Sequence, residues 1–147
     1  CPEQLKLCIG QMEGYMTEQL FYFSWPYAYQ KAQAFVEAAQ ETWAALPFQY
    51  EALRINYLGI NGIHESAAPS MTEQQIEALN EVGVRMAFRH QKAADGKRLI
   101  QSIVCLGLNG PPGMTASMNW GKAASLRLGL FPTLIPRDYV TINITIY

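Results

Sequence analysis

The segment AYQKAQAFVEAAQETWAALP, residues 28–47, decides the fold expected for this chain. Its apolar side chains recur every three or four residues, as on one face of an α-helix, and its Gln, Lys and Glu side chains occupy the other face. Pro47 ends the pattern, because proline disrupts a helix interior. We therefore predict an amphipathic helix with these positions on its apolar face: Ala28, Ala32, Phe35, Val36, Ala39, Trp43 and Leu46.

The residues before Pro26 also show helical spacing. A second apolar stripe predicts a helix in the N-terminal third, which would form an antiparallel pair with the helix that follows Pro26. Between the two lies an aromatic stretch, residues 21–29, whose rings could fill a core or line a pocket. The stripe consists of Leu5, Cys8, Ile9, Met12, Met16 and Leu20.

After residue 50 the apolar period changes from that of a helix to that of a strand. Alternating or densely apolar runs predict about five strands, at residues 53–57, 84–90, 99–108, 124–130 and 140–147. Asp95-Gly96 predicts a turn. Thr72 and Gln75 fit a capping box, so a short helix is expected near 72–82, with Gly83 as its left-handed cap.

These elements predict one α+β domain over residues 1–147. Residues 1–50 would form a helical pair, and residues 51–147 a mostly antiparallel β-meander with one short intervening helix. Because the helices come first and the strands later, the helices are expected to pack on one face of the sheet.

The composition limits the classes of function. The chain has 147 residues, of which 50% are apolar and 16% charged, against about 25% charged in ordinary domains. This excludes intrinsic disorder, a collagen-like chain, a coiled-coil rod and a disulfide-dense miniprotein. The low charged fraction has two possible causes, a large core or a surface that is covered in an assembly.

Charge is unevenly distributed along the chain. Residues 1–75 hold three basic and eight acidic side chains, and residues 76–147 hold eight basic and four acidic ones. The two sets could attract each other within one monomer, or could join copies head to tail. A basic face of Arg85, Arg89 and Arg127 could contact phosphates, but no aromatic ladder accompanies it, so nucleic acid is disfavoured as a partner.

Few residues suggest catalysis. His64 and Glu65, in a loop, could act as an acid/base pair beside Ser66, although neither spacing is specific to an enzyme class. With His90, expected at a half-buried sheet edge, the chain has only two histidines. We predict no metal site and no cofactor.

Two segments suggest protein contacts instead. The uncharged loop over residues 107–121 carries Met114, Met118 and Trp120, which are adaptable or anchoring interface residues. The predicted last strand, with Tyr139, Ile142 and Ile144 in its neighbourhood, could pair with another chain as an unprotected edge.

The sequence therefore favours a non-enzymatic assembly or interaction subunit, forming a homo-oligomer or docking into a larger complex of the secretion-apparatus or virion type. The alternative is a cone-shaped, cystatin-like α+β pocket protein or enzyme, with aromatic walls from residues 21–29 and His64-Glu65 near the mouth. Both comparisons rest on element order.

The termini and cysteines leave the compartment open. No apolar run is long enough to form a membrane helix. Cys1 at the first position suggests a processed or trimmed N-terminus, so a secreted protein, a periplasmic lipoprotein and a piece of a longer chain all remain possible. Cys1 and Cys8 could form a bridge only in irregular backbone, and Cys105 is expected in the core.

Overall fold

The fold is α+β with a five-stranded antiparallel sheet, as predicted. The structure is a computed structural model that describes residues 2–47, 50–117, 124–141 and 143–146. Its strands and helices, in chain order, are β1 Gln4–Ser24, α1 Ala28–Ala44, β2 Ala52–Leu58, α2 Glu73–Glu77, β3 Glu81–His90, α3 Ala93–Ser102, α4 Leu106–Asn109, β4 Met114–Ala116 and β5 Ser125–Pro136. Two single 3₁₀ turns, Glu65–Ala67 and Arg137–Tyr139, complete the regular structure of the described residues.

The sheet has the strand order β2-β3-β1-β4, and β5 also pairs with β1. Phe21 lies opposite Val84 in the β1–β3 pair, and Ile55 lies opposite Met86 in the β2–β3 pair. This order, with α1 and α3 as crossovers, is the split β-α-β-β-α-β arrangement of ferredoxin-like folds. The expected meander is therefore wrong, since β1 lies between β3 and β4.

The predicted N-terminal helix is also wrong, because residues 4–24 form β1. Thr17, Gln19, Phe21 and Phe23 are buried on one side of this strand. The side chains between them are also largely apolar, so the sequence lacks the clean alternation of a half-buried strand. Ten residues of β1 pair with β3, and this backbone pairing outweighs the helical spacing of the stripe.

Four further predictions on the sheet half are wrong: the strand at 99–108, the turn at Asp95-Gly96, the cap at Gly83 and the strand at 140–147. Residues 99–108 belong to α3, α4 and the turn between them, and Asp95-Gly96 lies inside α3. The helical signal was present, since the buried residues of this segment are spaced by three or four: Gly96, Leu99, Ile100 and Ile103. Gly83 lies in β3, and the described residues after Tyr139 form no strand.

Two predictions on buried residues need correction as well. Cys105 is exposed, because it lies on the outer side of the turn after α3, and Cys8 is exposed too. His90 is fully buried rather than half-buried, because the first turn of α3 covers it. Cys1 lies outside the described residues.

The core lies between α1, α3 and one face of the sheet. Helix α1 forms where it was predicted and buries six of the seven residues expected on its apolar face. The seventh, Leu46, lies beyond the end of the helix and is half-buried. The indole Nε1 of Trp43 donates to the carbonyl oxygen of Leu99 at 3.0 Å, which ties α1 to α3. Large, fully buried apolar side chains come from four elements, β1, α1, β3 and α3: Phe21, Phe23, Phe35, Met86, Phe88 and Leu99.

The chain divides into two compact units. One unit comprises Gly14–Leu126 and contains α1 to α4, β2 to β4 and the second half of β1. The other comprises Cys1–Glu13 and Arg127–Tyr147, and its regular structure is a two-stranded ribbon of β1 and β5. We call this ribbon the β1–β5 ribbon.

Candidate functional site

The β1–β5 ribbon carries an exposed apolar row. Side chains of successive strand residues point to opposite faces, so Leu128, Leu130 and Leu134 share one face of β5. Their exposed fractions are 60%, 73% and 60%. We call these three residues the leucine row. Exposed apolar side chains that share one strand face can mark a contact site in a folded protein.

The opposite face of the ribbon is held by an ion pair. Arg127 Nη2 lies 3.2 Å from Glu13 Oε2, and the Glu13 side chain lies directly over Gly129. A side chain at position 129 would collide with this carboxylate, so glycine is required for the close approach. Near the end of β5, the backbone N–H of Arg137 donates to the carbonyl oxygen of Glu3 at 3.0 Å.

None of the interface residues predicted from the sequence belongs to the leucine row. Tyr139 and Ile144 are each 82% exposed and belong to the same unit as the ribbon. Met114 lies in β4 opposite Phe23 and is half-buried against the core, so it serves packing in the described structure. The remaining predicted interface residues, Met118, Trp120 and Ile142, lie outside the described residues.

Each of the three arginines of the predicted basic face forms an ion pair. Arg85 and Arg89 lie on the same face of β3, whereas Arg127 belongs to the other unit. Arg85 Nε donates to Glu18 Oε2 at 2.8 Å, and Arg89 Nε lies 2.8 Å from Glu51 Oε2. With Arg127 also paired, each of the three cations faces a carboxylate, which weakens any attraction for phosphates.

A cavity of about 240 Å³ lies at the end of β2. The chain turns sharply there, because Ile60 N–H and Asn61 N–H donate to the Tyr57 carbonyl oxygen and Asn61 Oδ1 accepts from Tyr57 N–H. Gly59 adopts a φ of 96°, which favours glycine. The residues that line the cavity are Leu58, Gly59, Ile60, Gly62, Ile63 and His64.

The two members of the predicted acid/base pair, His64 and Glu65, have different surroundings. His64 lines it, whereas the Glu65 carboxylate forms an ion pair with Arg54. Glu65 has a φ of 51°, an uncommon conformation for a residue with a side chain. His64 and Glu65 are adjacent in sequence, but the carboxylate is engaged by a guanidinium.

The aromatic stretch 21–29 does not line this cavity. Phe21 and Phe23 are fully buried and pack against Phe35, with ring centroids 4.6 Å and 5.4 Å away. Trp25 and Tyr27 are 62% and 59% exposed. The stretch therefore supplies core residues and surface residues.

Tyr57, which forms the turn beside the cavity, has a raised hydroxyl pKa. Burial raises the pKa of Tyr57 above its ordinary value of 10.0, and negative charge on Tyr29 and Glu37 raises it further. The rings of Tyr29 and Tyr57 meet edge to face at 5.2 Å. The folded state thus favours the protonated hydroxyl.

This shift predicts a loss of stability in alkali. A group whose folded-state pKa is raised stabilises the protein below its unfolded pKa, and that contribution disappears as pH rises through the folded-state pKa. We expect Tyr57→Phe to reduce the fall in the free energy of unfolding above pH 10.0. Urea unfolding across this pH range measures it. Tyr139→Phe, at an exposed position, should leave the fall unchanged, and equal pH profiles for Tyr57→Phe and the wild type would contradict the assignment.

A buried polar cluster was missed by the sequence analysis. His90 Nδ1 lies 2.9 Å from the Lys92 carbonyl oxygen, and His90 Nε2 lies 2.9 Å from Thr17 Oγ1. Because a carbonyl only accepts, Nδ1 carries a proton, and in the neutral ring Nε2 accepts from the Thr17 hydroxyl. The alternation in β3 placed His90 on the core side, but the threonine partner lies 73 residues away in sequence. The cluster is sealed from solvent and serves the fold.

In residues 2–47, 50–117, 124–141 and 143–146, no three His, Cys, Asp or Glu side chains are grouped so that they could hold a metal ion. Among the helices of the described part, none has the length and apolar character required to cross a membrane.

Comparison with known proteins identifies a family. The model of the acyclic terpene utilisation family protein AtuA matches residues 1–146, which is nearly the whole chain. No curated protein and no solved structure matches it.

Proposed function

Because this chain belongs to the acyclic terpene utilisation family AtuA, we propose that it serves the utilisation of acyclic terpenes as a protein–protein assembly subunit that docks through the leucine row. The observation that carries the proposal is the exposure of Leu128, Leu130 and Leu134 on the β1–β5 ribbon. A two-stranded ribbon is only marginally stable in water without a further layer. Covering the row with protein removes apolar surface from water and stabilises the ribbon.

The partner with the best support is a second copy of this chain. In a two-fold dimer the same patch of each subunit faces its counterpart, and an all-apolar row is complementary to itself. Burying a leucine side chain contributes about 1.5–3 kcal/mol. Three leucines facing three more bring up to six such side chains to a dimer interface.

The test uses a double variant, Leu128→Glu with Leu130→Glu. Carboxylates cannot be buried unpaired in an apolar interface, and both copies of a two-fold dimer carry the two substitutions, so four leucines are lost. We expect a dimer at least about 100-fold weaker. Light scattering after gel filtration measures the mass over a range of protein concentrations. The wild type should exceed the monomer mass of 16.5 kDa, whereas the variant should remain at it.

A control and a salt series make the test specific. Leu108→Glu changes a leucine of the other unit that is 92% exposed, and it should associate like the wild type. Association through leucines should persist at high salt, whereas head-to-tail attraction of charged faces should weaken. A wild-type monomer at every concentration, or equal weakening by Leu108→Glu, would refute the proposal.

A further inference from the structure

We infer that the cavity at the end of β2 binds the branched aliphatic part of a small molecule that ends in one hydroxyl or carboxyl group. The choice of ligand class rests on the proposed role in acyclic terpene utilisation, but the site is separate from the leucine row in sequence and in unit. Three observations support it: the shape of the cavity, its lining and the position of its single titratable side chain.

The shape of the cavity is fixed by hydrogen bonds within the protein. Asn61 bonds to Tyr57 through both its side chain and its backbone, at 3.0 Å and 2.9 Å, which holds the turn that forms the cavity. A Cβ atom at position 62 would lie 2.5 Å from Leu58 Cδ2. Glycine at this position therefore lets the Leu58 side chain approach the turn. Preformed concave sites of this kind are typical of small-molecule binding.

The lining favours an aliphatic ligand. The side chains facing the space come from Leu58, Ile60 and Ile63, and the two other backbone positions are glycines. Ile63 is 87% exposed, so a ligand that covers it removes apolar surface from water. Sugars and nucleotides need several convergent polar groups, and only one lining residue, His64, offers a polar side chain. A branched hydrocarbon fits the aliphatic walls.

His64 defines the polar end of the ligand. Its imidazole can donate one hydrogen bond and accept another, which matches a hydroxyl or carboxyl group. The neighbouring Glu65 carboxylate is paired with Arg54, so it does not present a free negative charge to the cavity. A branched chain with a single hydroxyl group is the composition of an acyclic terpenoid alcohol.

The experiment titrates citronellol, an acyclic terpenoid alcohol, into the full chain and follows backbone amide shifts by NMR. We expect saturable shifts centred on residues 58–64. Ile63→Asp should weaken binding at least about tenfold, since an apolar wall becomes a charge. His64→Ala should weaken binding as well, whereas His64→Gln, which keeps a donor and an acceptor, should recover part of the loss.

The matched control is Leu108→Asp, an exposed leucine of the same unit outside the cavity, which should bind like the wild type. The inference is overturned by an absence of saturable shifts, by shifts centred elsewhere, or by equal weakening in the control. Light scattering on the same samples keeps the two proposals apart. Binding by a strict monomer would refute assembly alone, and an assembled chain that binds nothing would refute this site alone.

Discussion

Phe88→Ala is expected to lower the free energy of unfolding by about 3–5 kcal/mol, because it empties the centre of the core. Phe88 is fully buried on β3. Its ring meets Trp43 edge to face at 4.7 Å and Tyr50 at 5.5 Å. Such aromatic pairs contribute about 0.5–1.5 kcal/mol beyond the area they bury. The variant therefore loses packing with both rings and leaves a cavity between α1 and the sheet.

Urea unfolding followed by circular dichroism measures this loss. The urea concentration at the midpoint of unfolding should fall. The slope of the unfolding free energy against urea concentration should stay the same, since the surface exposed on unfolding changes little. Phe88→Leu keeps most of the volume and should cost less than about 1.5 kcal/mol. Leu108→Ala, at an exposed position, should lie within about 0.5 kcal/mol of the wild type. A loss below about 1 kcal/mol for Phe88→Ala would show that the ring is not packed as described.

Gly96→Ala is also expected to lower the free energy of unfolding, although alanine favours a helix more than glycine does. In an exposed helix interior, alanine is about 1 kcal/mol better than glycine. At position 96 in α3, however, an added Cβ would collide with Thr17 Oγ1 and lie 2.6 Å from His90 Nε2. Overpacking costs about 1–3 kcal/mol, and a broken buried hydrogen bond costs a similar amount. We expect a net loss of about 2 kcal/mol or more.

A double-mutant cycle tests the cause. Thr17→Ala removes the oxygen that the new methyl group would meet, so Gly96→Ala should cost about 1 kcal/mol less in that background. Gly107→Ala in α4 is the matched control, because the nearest atom to its added Cβ, Met114 Cε, would lie 3.5 Å away. That control should be neutral or slightly stabilising. Full additivity at positions 17 and 96 would rule out the collision as the cause.

Local sequence patterns predicted the backbone of the two candidate sites but not the contacts or the exposure of their side chains. The loop that holds His64 was read from its glycines and small polar residues, and the structure places a cavity there. The pairing of Glu65 with Arg54 joins a loop to a strand across eleven residues, so sequence adjacency suggested the wrong partner for the carboxylate. Leu128 and Leu130 were visible in an alternating strand pattern, whereas Leu134 lies beyond the predicted strand. The exposure of all three depends on what lies on the ribbon.

By itself, the sequence determined α1, β2, β3, β5 and the capping box at Thr72, where the hydroxyl of Thr72 accepts from Gln75 N–H. Their signals are local, since a helical face, an alternating strand or a cap lies within a few residues. Only the tertiary structure decided β1, since a stretch that is apolar on both sides suits either helix or strand until β3 pairs with it. It likewise decided the burial of His90, because one of the two groups that satisfy its imidazole, the Thr17 hydroxyl, lies far away in the chain.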